Sequence, residues 1–305
     1  MRPRVPVWVV LSAVVVAWGA AFSGIKIVLD KVDPFALTTV RIFIAAVTYT
    51  AIFPLVRGAA VERRDGDAIR LVLLGLFGAA GYHLAVNWGE RFISAGLTSL
   101  IVAAMPAMVA VMAVLVLHER LGPRGTLGTA VAFAGVAILA AAGEGGFDAD
   151  STLGALVTLL APLSWAVYTI MSKPMAARYD GVRLNLVGAW VGVLVTLPFG
   201  LAGLSDLASL TTGEWVWMFY LGTISTSGSY IAYAWALRHW PASRVAAFVY
   251  LVPGASLIWA WFLLGETPSL FALLGGAVVI LGVVLVESSR NASYNPDHVP
   301  EHQAT

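Results

Sequence analysis

The sequence repeats itself at a distance of 147 residues, and this repeat constrains the fold more than any other feature. At least eleven positions carry the same residue as the position 147 places later, in one register and without a gap. The pairs include Trp18/Trp165, Lys26/Lys173, Gly75/Gly222, Gly81/Gly228, Trp88/Trp235, Arg91/Arg238, Ala95/Ala242, Pro106/Pro253, Glu119/Glu266, Gly128/Gly275 and Gly135/Gly282. The chain therefore consists of two copies of one unit.

The composition indicates that both copies lie in a membrane. Hydrophobic residues make up 59% of the 305 residues and charged residues only 11%, whereas soluble domains contain about 25% charged residues. The chain has no cysteine, which excludes disulfides and thiolate metal sites. Its net charge of +1 argues against nucleic acid as a partner.

The apolar residues fall into ten segments of membrane length. A helix needs about 20 mostly apolar residues to cross the hydrocarbon. Charged or Gly/Pro-rich points divide the chain into segments near 7–29, 36–56, 69–89, 96–117, 124–142, 153–172, 182–203, 214–237, 244–264 and 269–286. Because these segments lack the alternating pattern of barrel strands, we predict an all-α integral membrane protein with ten transmembrane helices.

Five spans per copy is an odd number, so the second copy must enter the membrane the opposite way up. We predict two inverted five-helix repeats, residues 1–146 and 147–287, followed by a polar cytoplasmic tail, 288–305. Cytoplasmic loops are enriched in Lys and Arg. With the N-terminus inside, 14 of the 18 Lys and Arg residues face the cytoplasm, which places both termini there. Inverted repeats of this kind are typical of secondary transporters, whose site lies between the copies.

Several motifs recur in both copies and resemble those of a known family. They are a Trp followed by a Lys in the first helix (Trp18 and Lys26, Trp165 and Lys173), and a Pro followed by Leu-x-Glu in the fourth (Pro106 and Leu117-His118-Glu119, Pro253 and Leu264-Gly265-Glu266). The chain resembles the drug/metabolite transporter superfamily, specifically its ten-helix members with two EamA-type repeats. The resemblance implies transport by alternating access in the cell (inner) membrane, with export the expected direction.

Polar side chains within the spans are the candidates for substrate binding, because polar groups in hydrocarbon usually face the bundle interior. His83, Asn87 and Glu90 share one face of the third span, and Tyr230 stands at the position equivalent to His83. The substrate-binding candidates are Trp18, Tyr82, His83, Asn87, Trp165, Thr226, Tyr230 and Tyr233. The alternatives are hydrogen bonding between helices for the polar groups and plain packing for the two tryptophans.

Four residues are candidates for gates or hinges. Lys26 and Lys173 lie near opposite mouths, where each could gate or contact an anion, or extend to the lipid headgroups. Pro106 and Pro253 fall near the middle of equivalent helices, where each should free a backbone carbonyl and kink the helix. The alternative is a static bend.

We expect structural roles for Arg41 and four glycines. Arg41 lies inside the second span, and we expect it to pair with a carboxylate such as Asp30 or Asp33; the second copy has Gly188 at the equivalent position. Two pairs of glycines, each seven residues apart, should let two helices approach closely. They are Gly128 with Gly135 and Gly275 with Gly282.

The sequence as a whole predicts a secondary transporter of small organic metabolites, with amino acids and aromatic or amphipathic compounds as the favoured classes. It needs no cofactor and no metal, and its partners are the substrate and the lipid bilayer, with the protein a monomer or homodimer. The alternatives are a membrane-embedded lipid-processing enzyme, a transporter of bulky amphipathic drugs, and a receptor. The five histidines do not cluster with acidic residues as an enzyme would require.

Overall fold

The computed structural model describes residues 5–55, 64–117, 122–141, 149–176, 179, 181–239 and 248–293. Within these ranges all regular secondary structure is helical. Five helical stretches are long and apolar enough to cross a membrane: Val7–Leu29, Pro34–Leu55, Asp67–Gly89, Ala149–Ser172 and Gly181–Ser209. Shorter apolar helices account for other predicted spans.

Each predicted span corresponds to one helix or to two helices joined end to end. The first copy contains α1 (Val7–Leu29), α2 (Pro34–Ile52), α3 (Asp67–Leu74), α4 (Tyr82–Gly89), α5 (Ala95–Val102), α6 (Met105–Leu117) and α7 (Pro123–Ala141). The second copy contains α8 (Ala149–Thr158), α9 (Leu160–Ala176), α10 (Gly181–Gly200), α11 (Thr212–Tyr220), α12 (Ser229–His239), α13 (Val252–Leu264) and α14 (Leu270–Ser293).

Local sequence signals explain where several helices begin. The Asp33 carboxylate accepts hydrogen bonds from the backbone N–H groups of Phe35 at 2.8 Å and Ala36 at 3.4 Å, and Pro34 occupies the first turn of α2. Thr211 and Glu214 form a reciprocal capping box at the start of α11. Both arrangements satisfy backbone donors that a helix start leaves unpaired.

The prolines break their spans rather than kink them. In the first copy α5 ends at Val102 and α6 begins at Met105, so Pro106 lies in the first turn of a new helix. In the second copy Pro253 holds the same place in α13. A proline at a helix start costs no hydrogen bond, because the N–H that it lacks would be unpaired there. The predicted mid-helix kink is therefore wrong, although the interruption falls at equivalent places in both copies.

The third span of each copy contains a π-helical segment that the sequence analysis did not predict. Gly75–Gly81 joins α3 to α4, and Leu221–Gly228 joins α11 to α12. The identical glycine pairs, Gly75/Gly222 and Gly81/Gly228, fall at the edges of these segments. In the second segment the hydroxyls of Thr226 and Ser227 each donate to the carbonyl five residues earlier, at 2.7 and 3.0 Å.

The repeats run in opposite directions, as predicted. Arg91 Nη1 lies 3.9 Å from Asp33 Oδ2, which places the end of α4 beside the start of α2. The Tyr179 hydroxyl donates to Asp67 Oδ2 at 3.2 Å, which places the end of α9 beside the start of α3. We call these two ends of the bundle the Lys31 end and the Asp67 end. The first helix of the first copy runs towards the Lys31 end, and its counterpart in the second copy runs towards the Asp67 end.

The glycine pairs let α7 and α14 pack at backbone distance, as expected. A Cβ atom on Gly135 would lie 2.6 Å from the backbone nitrogen of Val279 and 2.9 Å from the carbonyl oxygen of Gly275. A Cβ atom on Gly282 would lie 2.6 Å from the carbonyl oxygen of Gly128 and would also overlap the backbone of Ala132. This contact joins the last helix of each copy and forms part of the scaffold around the site.

Candidate functional site

Six aromatic side chains from both copies form a connected group in the interior, which we call the aromatic chamber. They are Trp18, Tyr82, Trp165, Tyr168, Tyr230 and Tyr233. Tyr230 stands between the two repeated tryptophans, with ring centroids 6.0 Å from Trp18 and 5.4 Å from Trp165. Tyr82 lies 5.3 Å from Trp165, and Tyr233 lies 5.6 Å from Trp18.

The six residues of the chamber are half-buried. Aromatic rings that merely filled the interior would be packed on all sides at close to crystal density. Their remaining exposure is what a hollow with aromatic walls between the copies would leave. Such walls suit an apolar or aromatic part of a small molecule.

The second π-helical segment supplies a hydrogen-bond acceptor to Trp18, one of the aromatic residues of the chamber. Trp18 Nε1 donates to the backbone carbonyl of Ser225 at 3.0 Å, so a tryptophan of the first copy is fixed by the second copy. Trp165 is its repeat equivalent, but its Nε1 has no acceptor among the residues that the structure describes. The indole N–H of Trp165 is thus available to a ligand in the chamber.

His83 lies beside the chamber, at a small cavity. Its ring meets that of Tyr82 edge to face, with centroids 5.1 Å apart. The cavity has a volume of about 30 Å³ and is lined by residues that include His83, Tyr168, Thr226 and Tyr230. This volume is enough for an ordered water molecule. His83 is 2% exposed and its Nδ1 has no hydrogen-bond partner in the described structure.

Asn87 is fully buried one turn further along α4. Its Nδ2 donates to the hydroxyl of Thr38 at 2.8 Å, while its Oδ1 has no partner among the described residues. Asn87 therefore makes a hydrogen bond between helices, α4 and α2, which was the alternative to substrate binding for the polar groups. Its role in substrate binding stays a prediction.

The expected pairing of Arg41 with Asp30 or Asp33 is wrong. Asp33 caps α2 and lies near Arg91 instead. Arg41 is 5% exposed; its Nε donates to Thr226 Oγ1 at 3.1 Å and its Nη2 donates to Ser225 Oγ at 3.3 Å. Sequence reasoning missed this contact because both acceptors belong to the other copy, in the unpredicted π-helical segment. The available signal was the absence of an arginine at the equivalent position, 188.

Lys26 binds the end of a helix in this conformation. Its Nζ donates to the carbonyl oxygens of Glu90 at 2.8 Å and Ile93 at 2.9 Å. These carbonyls follow the last turn of α4, where a cation is favourable. The ammonium is therefore not extended to the headgroups, and its role as a gate stays a prediction. Lys173 lies in α9, but its side chain falls outside the described part of the chain.

Polar contacts join the two copies at the Lys31 end. Lys31 Nζ lies 2.9 Å from the carboxylate of Glu214, and the backbone N–H of Asp33 donates to Asp206 Oδ2 at 3.3 Å. At the Asp67 end the contact is that of Tyr179 with Asp67. Asp67 and Glu214 are equivalent by the repeat, and Tyr179 follows the position equivalent to Lys31. The copies thus place an acidic residue at equivalent positions on opposite ends.

Tyr168 is a chamber residue that the sequence analysis did not identify. Its ring lies 5.2 Å from that of Trp165, and its hydroxyl donates to Asn185 Oδ1 at 3.3 Å. Tyr168 lies nearly one turn after Trp165 on α9, so helical spacing from that residue was the signal that could have found it. No group of His, Asp or Glu residues in the described ranges is arranged to hold a metal ion.

Comparisons with known proteins agree with this architecture. The model of the EamA-like transporter family matches residues 6–141 and 152–288, one match in each copy. A solved crystal structure shares the fold with a TM-score of 0.61 and 19% identity, covering 94% of this chain and 98% of that one.

Two similar proteins have names that describe export. The chain is 33% identical over 288 residues to the "Probable terminal-alkyne amino-acid exporter" of Streptantibioticus cattleyicolor, covering 94% of both proteins. It is 28% identical over 290 residues to the "Probable amino-acid metabolite efflux pump" of Salmonella typhimurium, covering 89% of this chain and 91% of that protein. With a family match over both copies and these full-length similarities, the chain belongs to the EamA-like transporter family.

Proposed function

We propose that this protein exports amino acids or amino-acid-derived metabolites with an apolar or aromatic side chain, and that the aromatic chamber is their binding site. Family membership makes the chain a multi-pass membrane transporter and not an enzyme. The observation that carries the substrate proposal is the chamber itself, in which Trp18 and Trp165, equivalent by the repeat, meet the same tyrosine, Tyr230.

The repeat also supports a mechanism. In transporters with inverted repeats, one unit moves against the other around a site near the midplane. We propose residues 1–146 and 147–287 as these units, in the inner membrane, with both termini and the tail at 288–305 in the cytoplasm. Rearrangement of the contacts at the Lys31 end and the Asp67 end would then open the chamber to each side in turn. Lys26, Pro106, Lys173 and Pro253 remain our candidates for gate or hinge residues.

Flux from liposomes tests the proposed function. Purified protein is reconstituted into liposomes loaded with radiolabelled L-phenylalanine or L-tryptophan, and release is compared with protein-free liposomes. We expect faster release, with the solute recovered chemically unchanged because a transporter does not consume it. Release at the protein-free rate for both solutes would contradict the proposed substrate class, and a converted product would contradict transport.

A matched pair of tryptophan variants localises the site. We expect Trp165→Ala to reduce the flux at least about tenfold, since an aromatic wall of the chamber is lost. Trp261→Ala is the control. It removes the same kind of side chain from the surface, because Trp261 is 62% exposed on α13. Equal loss in both variants would mean that the effect of Trp165→Ala does not come from the chamber.

A further inference from the structure

Arg41 carries a charge in the interior that has no directly paired carboxylate in the described structure. It lies within α2, one of the helices long enough to cross a membrane, and is 5% exposed. No carboxylate oxygen of the described residues lies within 4 Å of its guanidinium. Its hydrogen-bond acceptors are two neutral hydroxyls, of Thr226 at 3.1 Å and Ser225 at 3.3 Å. A buried charge without a counter-charge is costly, and in membranes it usually marks function.

Two hydrogen bonds also hold the guanidinium in position, and other N–H donors of the group have no acceptor in the described structure. An arginine side chain has five N–H donors, of which Arg41 uses one on Nε and one on Nη2. Nη1 has no acceptor in the part of the chain that the structure describes. Thr226 Oγ1, which accepts from Nε, itself donates to the carbonyl of Leu221 at 2.7 Å and is thereby fixed. The free Nη1 and Nη2 donors match the geometry of a carboxylate bound through both oxygens.

The surroundings of Arg41 connect this donor set to the chamber. Ser225, whose hydroxyl accepts from Nη2, also accepts from Trp18 Nε1 through its backbone carbonyl, and Thr226 lines a small cavity together with Tyr230. Tyr82 and Glu90 also lie near the guanidinium. Tyr230 and Tyr82 are walls of the aromatic chamber. Glu90 is buried and neither of its carboxyl oxygens has a hydrogen-bond partner among the described residues, so it does not occupy the free donors of Arg41.

A purely structural role for Arg41 does not explain its charge. If an arginine were needed to hold the second helix of each unit against the third, the second copy would need one as well. It has Gly188 instead, where a Cβ atom would lie 3.6 Å from the Cα of Gly75, so α10 packs directly against the first π-helical segment. The same helix contact thus forms without an arginine.

We propose that Arg41 binds the carboxylate of the transported molecule, with the apolar part of that molecule against the aromatic chamber. This rests on the proposed function and narrows it to amphipathic carboxylates, such as amino acids with an apolar side chain. Ser225 and Thr226 orient the guanidinium from the second copy. Each substrate molecule therefore contacts a charge from one copy and aromatic rings from both.

Acid and amide pairs test the proposal on the wild-type protein. The probes are L-phenylalanine and L-tryptophan, each compared with its carboxamide, which keeps the side chain and ammonium but lacks the negative charge. Binding is measured by titration calorimetry in detergent. We expect the acids to bind about 100-fold more tightly than the amides, the scale of a lost charge-assisted bidentate contact.

Variants of Arg41 test whether this residue causes the preference for acid over amide. Arg41→Gln should reduce the preference for acid over amide to less than about threefold, and Arg41→Lys should keep about tenfold, since the charge remains but the paired donors are lost. Retained amide binding in Arg41→Gln shows that the chamber is folded. Arg124→Gln is the matched control, because Arg124 is exposed at the start of α7, and it should keep the wild-type preference.

The outcomes separate this proposal from the proposed function. If the wild type binds neither acids nor amides, the proposed substrate class is wrong and the carboxylate contact is overturned with it. If the wild type binds acid and amide equally, the proposed function stands and Arg41 does not bind the carboxylate. The same conclusion follows if Arg41→Gln keeps the preference. If Arg41→Gln does not fold, Arg41→Lys serves instead. A preference for acid over amide as large in Arg41→Lys as in the wild type would show that Arg41 does not make the paired contact.

Discussion

Replacing Tyr230 with alanine should reduce substrate flux by at least about tenfold, whereas Tyr230→Phe should retain most of it. Tyr230 contacts Trp18 of the first copy and Trp165 of the second through its ring, at centroid distances of 6.0 and 5.4 Å. Alanine removes both contacts and opens the wall that joins the copies. Phenylalanine keeps the ring and removes only a hydroxyl.

The measurement is the concentration dependence of L-phenylalanine uptake into proteoliposomes. If the ring forms a wall of the binding site, as we propose, the alanine variant should raise KM more than it lowers kcat. Phe271→Ala serves as the control for loss of an aromatic ring, since Phe271 is 62% exposed on α14. If Tyr230→Ala and Phe271→Ala give the same kinetics, the chamber is not the binding site.

Replacing Gly282 with alanine should destabilise the protein by about 1–3 kcal/mol, the usual cost of forcing an extra methyl group into a packed interior. The new Cβ atom would overlap the backbone of Ala132 and lie 2.6 Å from the carbonyl oxygen of Gly128. Backbone atoms cannot move aside as the end of a flexible side chain can. The two helices α7 and α14 would have to separate along their contact.

The control for this substitution is Gly254→Ala. A Cβ atom on Gly254 would meet no other atom within 4 Å, and Gly254 lies in a helix, where alanine is the better helix former. The apparent melting temperature in detergent should therefore fall for Gly282→Ala and stay the same or rise for Gly254→Ala. Equal melting temperatures for the two variants would show that the close contact between α7 and α14 does not limit stability.

The fold could be predicted from the sequence because it depends on features that the chain displays directly. Segment length and hydropathy located the spans, and the parity of five spans per copy required the inversion. The repeated tryptophans, Trp18 and Trp165, are predicted as walls of a cavity between the copies. Their shared contact with Tyr230 is consistent with the cavity interpretation, and their role in substrate binding stays a prediction.

The errors arose where a side chain's partner is fixed only by three-dimensional packing. Arg41 was expected to pair with a nearby aspartate, but it bonds to hydroxyls 184 and 185 residues away. Lys26 binds carbonyls at the end of α4, partners that its sequence neighbourhood does not indicate, and its role as a gate stays a prediction. Pro106 is predicted to kink its helix because it falls inside one continuous apolar segment, but the helix breaks before it, between Val102 and Met105. None of these partners could be identified from helical periodicity.

The paired π-helical segments bear on the history of the chain. A π turn holds one residue more than an α turn, because its hydrogen bonds reach five residues instead of four. The segments at Gly75–Gly81 and Leu221–Gly228 occupy equivalent positions although their sequences differ, and the glycines at 75 and 81 recur at 222 and 228. An insertion already present in one ancestral five-helix unit would place both segments at equivalent positions, as observed. The second segment differs from the first in its hydroxyl side chains, and two of these, on Ser225 and Thr226, are the acceptors of Arg41, which has no counterpart in the second copy.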